Sequence, residues 1–212
     1  MAIKQIYFVE GNIGAGKSTL LKALSKDDKY NIIDEPMDLF CKLKDYNPLE
    51  MFYKKTMSGF QFSTYIMYIF LDIIHNKLDD NKINIICRSI FSSVYVFANQ
   101  SLELGLMSQI DYDILSEFIK LYTTMLEDYD VSIIYLDADS STCHERLIKR
   151  NRKEENEVPL SYLKKIESKY ENYINNINEY PLFRINSERN MEDIKEFFED
   201  ALKHPLINES KC

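Results

Sequence analysis

The sequence predicts an α/β fold in which five parallel strands form one sheet with helices on both faces. Short apolar runs rich in β-branched and aromatic residues alternate along the chain with longer segments whose apolar residues recur at helical spacing. This alternation indicates a parallel sheet, because each parallel strand needs a crossover, usually a helix, to reach the next. The glycines are a second observation: three of the chain's five lie within residues 11–16, between the first strand and the first helix.

The first half of the chain supplies three strands and four helices. The runs IKQIYFVE, YNIIDEP and INIICRS are the strands, since each is short and rich in apolar, β-branched residues. Leu20, Leu21 and Leu24 mark the first helix, and a later helix is apolar around much of its circumference. The strands span residues 3–10, 30–36 and 83–89, and the helices span residues 18–26, 49–55, 60–78 and 90–104.

The second half continues the alternation with two strands and four helices. VSIIYLDA and LFRIN are the strands, and Pro159 fits the first turn of the third helix, where an N–H would have no partner. The strands span residues 131–138 and 182–186, and the helices span residues 112–129, 140–151, 159–177 and 191–203. We expect one domain over residues 1–204 and a flexible tail over residues 205–212.

Residues 11–18, GNIGAGKS, fit the phosphate-binding pattern G-x-x-x-x-G-K-[ST]. Glycine reaches backbone angles that strain other residues, so successive N–H groups can turn toward an anion. In such loops the lysine reaches the β- and γ-phosphates, and the hydroxyl that follows it binds Mg²⁺. We therefore predict a nucleotide site, with Ser18 as the metal ligand, made by Gly11, Asn12, Ile13, Gly14, Ala15, Gly16, Lys17, Ser18 and Thr19.

The residues that end the predicted strands carry the remaining chemistry. Ligands of open parallel sheets bind at the carboxyl ends of the strands. The second strand ends in Asp34, Glu35 and Pro36, the third in Cys87, Arg88 and Ser89, and the fourth in Asp137. A carboxylate and an arginine are therefore expected to converge near the phosphate loop.

The composition disfavours several classes of protein. The 34 acidic and 26 basic residues give a formal net charge of −8, whereas a nucleic-acid-binding protein needs a basic face. The four cysteines form no C-x-x-C pair, which argues against a zinc site or a disulfide framework and favours a reducing, cytoplasmic location. The longest apolar run, residues 65–70, is too short to span a membrane, and no signal peptide is recognisable. We expect neither nucleic acid nor a membrane as a partner.

Five sequence blocks resemble, in order, the motifs of the deoxyribonucleoside kinases: EGNIGAGKST, EPMDLF, FQFSTY, CRSIFSSVYVF and RLIKRNRKEENEVPLSYL. The resemblance covers nearly the whole chain. It implies the P-loop kinase fold with an arginine-rich lid at about residues 150–158. It also implies an enzyme that uses ATP and Mg²⁺ and transfers the γ-phosphate of ATP to the 5′-hydroxyl of a small-molecule deoxynucleoside.

The resemblance implies roles around the transferred phosphate. Glu35 matches the general base of the family, and Arg88 matches the arginine that orients this base. Three lid arginines match the groups that neutralise the phosphate oxygens during transfer. By residue type alone, an acid before a proline also fits an exposed turn, and a charged run fits a solvated helix face. The predicted catalytic residues are Glu35, Arg88, Lys17, Arg146, Arg150 and Arg152.

The resemblance also implies the nucleoside-binding residues. Gln61 matches an amide that pairs with the nucleobase, and Tyr53 and Glu155 match the pair that holds the sugar 3′-hydroxyl. Three phenylalanines match aromatic residues that sandwich the base, although phenylalanines on helices would otherwise be assigned to the core. The full predicted set is Glu35, Phe40, Tyr53, Phe60, Gln61, Tyr68, Arg88, Ser93, Phe97 and Glu155.

Five positions depart from the family pattern: Phe40 replaces a tryptophan, Val94 replaces an arginine, and the other three bear on metal and base recognition. Cys87 stands where an acid usually helps to hold Mg²⁺, and a thiol is a poor ligand for this ion, so Asp137 or water on Ser18 would have to compensate. Tyr68 and Ser93 replace the arginine and aspartate that read the base in the deoxycytidine and deoxyguanosine kinases. These replacements favour thymidine or a broad range of pyrimidines.

Two other functions share the phosphate loop. A nucleoside monophosphate kinase of the thymidylate type would need a basic group near the second or third strand for the acceptor's phosphate, where this sequence has Glu35. A nucleotide-dependent switch would carry an ordered threonine loop and a D-x-x-G strand end, and neither is found. For the nucleoside kinase we expect a homodimer that packs through the helices beginning near Phe60 and Phe91.

Overall fold

The computed structural model describes residues 4–152 and 158–203 and confirms the α/β fold with five parallel strands. The strands pair in the order second, third, first, fourth, fifth, and every pairing is parallel. The first strand therefore lies at the centre of the sheet, and the loop after it lies where such sheets bind ligands. The strands are β1 (Lys4–Glu10), β2 (Tyr30–Ile33), β3 (Ile83–Cys87), β4 (Tyr129–Asp137) and β5 (Leu182–Asn186).

Helices cover the described part of the sheet on both faces. They are α1 (Lys17–Leu24), α2 (Met37–Cys41), α3 (Pro48–Tyr53), α4 (Gly59–Asn76), α5 (Ile90–Ser92), α6 (Asn99–Glu103), α7 (Gln109–Met125), α8 (Ser140–Arg150), α9 (Leu160–Asn176) and α10 (Met191–Lys203). A π-helical segment, Ser93–Ala98, joins α5 to α6.

The central strand divides the core into two layers. Successive side chains of a strand point to opposite faces. Ile6 and Phe8 accordingly pack in the layer that contains α4 and α7, whereas Tyr7 and Val9 pack in the layer that contains α1 and α10. All four side chains are fully or almost fully buried, which explains why β1 is a continuous apolar run in the sequence.

The predicted helix over residues 90–104 is one continuous path but not one regular helix. The π-helical segment interrupts it, and π turns of this kind occur frequently at functional sites. Several apolar residues of this path, which we expected at a dimer surface, are in the core instead: Phe91 is 4% exposed and Val94 and Val96 are fully buried, whereas Tyr95 is 37% exposed. These three buried side chains are therefore not available to a dimer surface, and packing of a dimer through this helix stays a prediction.

Two of the differences between the predicted and the observed helices have local causes. Helix α7 begins three residues before the predicted start, because the Ser108 hydroxyl accepts from the Asp111 N–H (3.3 Å) and caps it. Helix α2 was not predicted, since five residues are too few to show a period.

Some predictions fall outside the described residues. The lid is described only at its two ends, because residues 153–157 are not covered, and the tail over residues 205–212 is not covered either. The single domain over residues 1–204 stays a prediction. Within residues 4–152 and 158–203, none of the helices combines the length and the apolar character needed to cross a bilayer.

Candidate active site

The phosphate loop connects β1 to α1, and its three glycines have backbone angles that other residues avoid. The angle φ is 143° at Gly11, 86° at Gly14 and 101° at Gly16. Asn12 fixes the loop against α9, because its Nδ2 donates to the carbonyl oxygen of Leu163 (2.9 Å). The sequence motif therefore forms the strand–loop–helix turn that binds phosphates in other proteins.

Lys17 begins α1 and is almost completely buried against the loop. Its Nζ donates to the carbonyl oxygens of Gly11 (2.9 Å) and Asn12 (2.8 Å). Burial, and after it the charge of Arg88, lower the pKa of Lys17 to about 8. Phosphate groups beside the ammonium would favour its charged form and so oppose this shift.

A cleft beside the loop concentrates positive charge. Arg146 is held there by two hydrogen bonds, from Nη1 to the carbonyl oxygen of Ala15 (3.3 Å) and from Nη2 to that of Ser187 (2.8 Å). Apolar side chains cover part of the wall, and a basic cleft with an apolar part suits a nucleoside triphosphate. We call it the donor cleft; the cationic residues that line it are Lys17, Arg88, Arg146, Lys149, Arg150 and Arg189, and its apolar residues include Leu136, Met191 and Ile194.

A second cavity is lined mostly by apolar and aromatic side chains. At its wall the rings of Phe52 and Phe62 stack with centroids 4.7 Å apart and planes 12° apart. Flat apolar surfaces of this kind suit a planar base. We call it the acceptor cavity, and six predicted nucleoside-binding residues line it: Glu35, Phe40, Tyr53, Arg88, Ser93 and Phe97.

Glu35 and Arg88 line both the donor cleft and the acceptor cavity. They follow the adjacent strands β2 and β3, so the parallel pairing of those strands brings them together. The Nε of Arg88 donates to Oε1 of Glu35 (2.7 Å), and its Nη1 donates to the carbonyl oxygen of Gly11 (3.0 Å). A carboxylate here can take a proton from a hydroxyl in one cavity while a phosphoryl group arrives from the other.

The charge of Glu35 depends on its neighbours. Burial alone would raise the pKa of this carboxyl, but the positive charges of Arg88 and Lys17 outweigh burial and hold the pKa below its usual value. Arg152 contributes in the same direction. Glu35 is therefore ionised at neutral pH, which is the form that a general base needs.

The chain is similar to known kinases over most of its length. A family model described as deoxynucleoside kinase matches residues 7–207. The chain belongs to the deoxynucleoside kinase family. It is 31% identical to human mitochondrial thymidine kinase 2, over 98% of this chain and 80% of that protein. It is 32% identical to a probable deoxycytidine kinase of fowlpox virus (strain NVSL), over 87% of this chain and 80% of that protein.

Human deoxycytidine kinase is 30% identical to the chain, over 78% of this chain and 74% of that protein. Membership makes the chain a kinase, for which the family implies ATP as the phosphate donor. It also confirms the resemblance on which the site residues were assigned. The role of each residue stays a prediction.

Three predicted nucleoside-binding residues of this deoxynucleoside kinase do not line the acceptor cavity: Phe60, Gln61 and Tyr68. The Oε1 of Gln61 accepts from the Ser58 N–H (2.9 Å) and the Gln61 N–H donates to the Ser58 hydroxyl (3.1 Å), so the side chain caps α4. Tyr68 is 63% exposed, with its ring stacked on Tyr65. Glu155 lies outside the described residues.

Four residues of α4 that line the acceptor cavity of the kinase were not among the predicted binding residues. Phe62, Ser63, Ile66 and Phe70 share one face of the helix and point into it. Their spacing of one, three and four residues follows the helical period, so counting from the buried face would have found them. The S-x-x-Q pattern of residues 58–61 was a further signal, because it is typical of a helix start and assigns Gln61 to the cap. Met37, Phe52 and Tyr162 also line the cavity.

The predicted metal ligand has one carboxylate beside it. The Ser18 hydroxyl donates to Oδ1 of Asp34 (3.2 Å). Asp137, expected to compensate for the missing acid, instead accepts from Nε of Arg184 (2.9 Å). The Cys87 thiol is 1% exposed, and burial raises its pKa to about 12, so it stays a neutral thiol. Among the residues that the structure describes, no group of three or more His, Cys, Asp or Glu side chains is arranged to hold a metal.

Proposed function

We propose that this deoxynucleoside kinase transfers the γ-phosphate of ATP to the 5′-hydroxyl of a deoxynucleoside bound in the acceptor cavity. One observation carries the proposal: the ion pair of Glu35 and Arg88 lines both the basic donor cleft and the aromatic cavity. A reaction between two ligands needs a shared wall with groups that can move a proton and meet negative charge.

The proposed roles follow from charge and position. Glu35, ionised at neutral pH, accepts the proton of the 5′-hydroxyl. Arg88 holds that carboxylate and meets the charge that develops on the phosphoryl group. Lys17, Arg146 and Arg150 bind the phosphate oxygens from the loop and the donor cleft.

Mg²⁺ fits the donor cleft through oxygen ligands. Magnesium in kinase sites keeps several waters and takes few protein ligands. The hydroxyl of Ser18 is the ligand that we propose, and the Asp34 carboxylate beside it adds negative charge. The ion would neutralise phosphate charge, whereas the neutral thiol of Cys87 contributes nothing to binding it.

The acceptor cavity favours small pyrimidines over purines in this proposal. The side chains of Ser63 and Ser93 are short hydroxyls that can bond either a donor or an acceptor on a base edge. Phe70, which lines the same cavity, is bulky and apolar, which leaves less room for a second ring. Thymidine or a broad pyrimidine range is therefore the proposed substrate class.

The experiment is a panel of purified protein, ATP, Mg²⁺ and each deoxynucleoside in turn. We expect ADP release that depends on added nucleoside, with thymidine or deoxycytidine giving the highest kcat/KM. Turnover only with deoxynucleoside monophosphates would favour the thymidylate-type alternative. That outcome is disfavoured by charge, because Arg88 is the only cation among the described residues that line the acceptor cavity, and it is paired with Glu35.

A homodimer packed through α4 and α7 is the proposed assembly. Helix α7 carries an apolar stripe at intervals of four, four and three residues, namely Ile110, Ile114, Phe118 and Leu121, which are 64%, 40%, 43% and 56% exposed. Helix α4, which packs against α7, adds the 63% exposed side chain of Tyr68. An apolar stripe of this length on a helix is typical of a protein interface. A cytoplasmic location stays a prediction.

A further inference from the structure

A buried chain of hydrogen bonds leads from Arg88 into the core, away from both ligand sites. The Nη1 of Arg88 donates to the Tyr170 hydroxyl (2.6 Å), and that hydroxyl donates to Oε2 of Glu10 (3.1 Å). The other carboxyl oxygen of Glu10 accepts from the hydroxyl of Ser89 (2.6 Å). Tyr170, Glu10 and Ser89 are fully buried, and none of them lines the donor cleft or the acceptor cavity.

This chain of hydrogen bonds acts on Arg88, whose orientation in the site is tightly constrained. A guanidinium is a rigid planar fork, so its direction is fixed once several of its N–H groups have fixed acceptors. Arg88 has φ of 65°, a left-handed angle that strains a residue with a Cβ, and it leaves β3 in that conformation. Its flat face lies 4.8 Å from the centroid of Phe97, so the ring restricts tilt while the acceptors restrict rotation.

The buried carboxyl of Glu10 also depends on this chain of hydrogen bonds. Burial raises the pKa of Glu10, while the hydrogen bond from Ser89 and the charge of Arg88 oppose that rise. Tyr170 lies between Arg88 and Glu10 and is the only described residue that hydrogen-bonds both side chains. Removing its hydroxyl would leave Nη1 of Arg88 with the Gly11 carbonyl as its remaining acceptor.

We propose that Tyr170 is a positioning residue for phosphoryl transfer: its hydroxyl ties Arg88 to the buried Glu10 and so holds the guanidinium against Glu35 and the transferred phosphate. The inference rests on the proposed function, in which Arg88 meets the developing charge. Tyr170 touches neither ligand site, so its effect falls on kcat and leaves nucleoside affinity nearly unchanged.

The test compares Tyr170→Phe with Tyr122→Phe as a matched control. Both changes remove one hydroxyl from a fully buried tyrosine, but the hydroxyl of Tyr122 has no hydrogen-bond partner among the described residues. We expect Tyr170→Phe to lower kcat about 10- to 100-fold, the effect of losing a hydrogen bond to a charged group, with the nucleoside KM changed less than about threefold. The control should keep kcat within about twofold of the unaltered protein.

A double-mutant cycle with Arg88→Lys shows whether Tyr170 acts through Arg88. Because turnover in these variants is expected to be slow, it is measured with labelled ATP. Lysine lacks the fork, so Tyr170→Phe should change kcat less than about threefold in that background. Losses that multiply in the double variant would overturn the proposal. So would a Tyr170→Phe protein that loses nucleoside binding together with turnover, since the hydroxyl would then stabilise the fold rather than the arginine.

Failure of the proposed function would look different. An unaltered protein that turns over ATP with none of the deoxynucleosides refutes the function itself. An active protein whose Tyr170→Phe variant is equally active refutes only the positioning role.

Discussion

Glu35 and Arg88 each determine what the other can do. Burial alone would raise the pKa of the Glu35 carboxyl above that of an exposed acid, and the positive charge of Arg88 prevents this rise. The same guanidinium is bonded to the phosphate loop through Gly11. The acid, the arginine and the loop therefore form one connected unit at the residue scale. A substitution of one member is expected to change the behaviour of the others.

Glu35→Gln should abolish most turnover while nucleoside binding survives. The amide keeps the shape and one hydrogen bond to Arg88, but it cannot take a proton, so kcat should fall about 10²- to 10⁴-fold. The nucleoside dissociation constant, measured by calorimetry, should stay within about tenfold. Glu117→Gln, which removes an exposed carboxylate on α7, serves as the control and should leave both values unchanged. Near-normal turnover in the Glu35 variant would rule out this base.

Arg88→Gln should move the acid limb of the pH–rate profile to higher pH. With Arg88 removed, burial dominates and the pKa of Glu35 rises. A base works only when ionised, so kcat/KM should begin to fall at a higher pH than in the unaltered protein, and kcat should drop about 10²- to 10³-fold. The measurement is kcat/KM against pH.

Arg184→Gln provides the control for that profile. Arg184 is ion-paired on β5, at the opposite edge of the sheet from β2. Its removal should leave the acid limb where it is. An acid limb that stays in place for Arg88→Gln as well would contradict the electrostatic dependence of Glu35 on Arg88.

At the element scale, the phosphate loop and α4 show what a sequence can and cannot predict. The loop was predictable residue by residue, because its glycines are needed for local backbone angles. On α4 the sequence predicted Gln61 as a binding residue, whereas in the structure Gln61 caps the helix and Ser63 lines the cavity. The link from Arg88 to Tyr170 joins residues 82 positions apart and leaves no local pattern in the sequence.

Gly14→Ala should disrupt the loop far more than Gly105→Ala. A Cβ at Gly14 would lie 2.5 Å from the carbonyl oxygen of Cys143, a backbone atom that cannot move aside easily. Gly105 also has positive φ, but a Cβ there meets nothing within 4 Å. The Gly105 change should cost about 1–2 kcal/mol of folding stability, and the Gly14 change should cost more and also weaken ATP binding. Melting temperatures and ATP titrations of both variants check this, and equal losses would contradict it.

At the scale of the whole molecule, one apolar surface is buried and another is exposed. One is closed within the described fold by the two layers of helices on the sheet. The other is the exposed stripe on α7, which the chain does not cover with its own described residues. The sequence predicted an apolar dimer surface on the helices near Phe60 and Phe91, whereas this exposed stripe lies on α7, because buried and exposed apolar helix faces look alike in one sequence.

Ile114→Lys should convert a dimer into a monomer. A lysine in the middle of the stripe would bury an unpaired charge in the interface, which is costly. Light scattering at micromolar concentration should show about twice the chain mass for the unaltered protein and the chain mass for the variant. Ile148→Lys, at a 65% exposed position on α8, is the control and should keep the larger mass. A monomeric unaltered protein would refute the assembly.

The hydrogen bond from Asn12 to Leu163 has a consequence for how the protein is made. It joins residues 151 positions apart, and β1 is paired only with strands that are synthesised long after it. Chains emerge from the ribosome N-terminus first, so the phosphate loop can make its hydrogen bond to Leu163 only after α9 has been synthesised. Nascent chains stalled before α9 should fail to bind ATP, although they already contain every residue of the phosphate-binding motif.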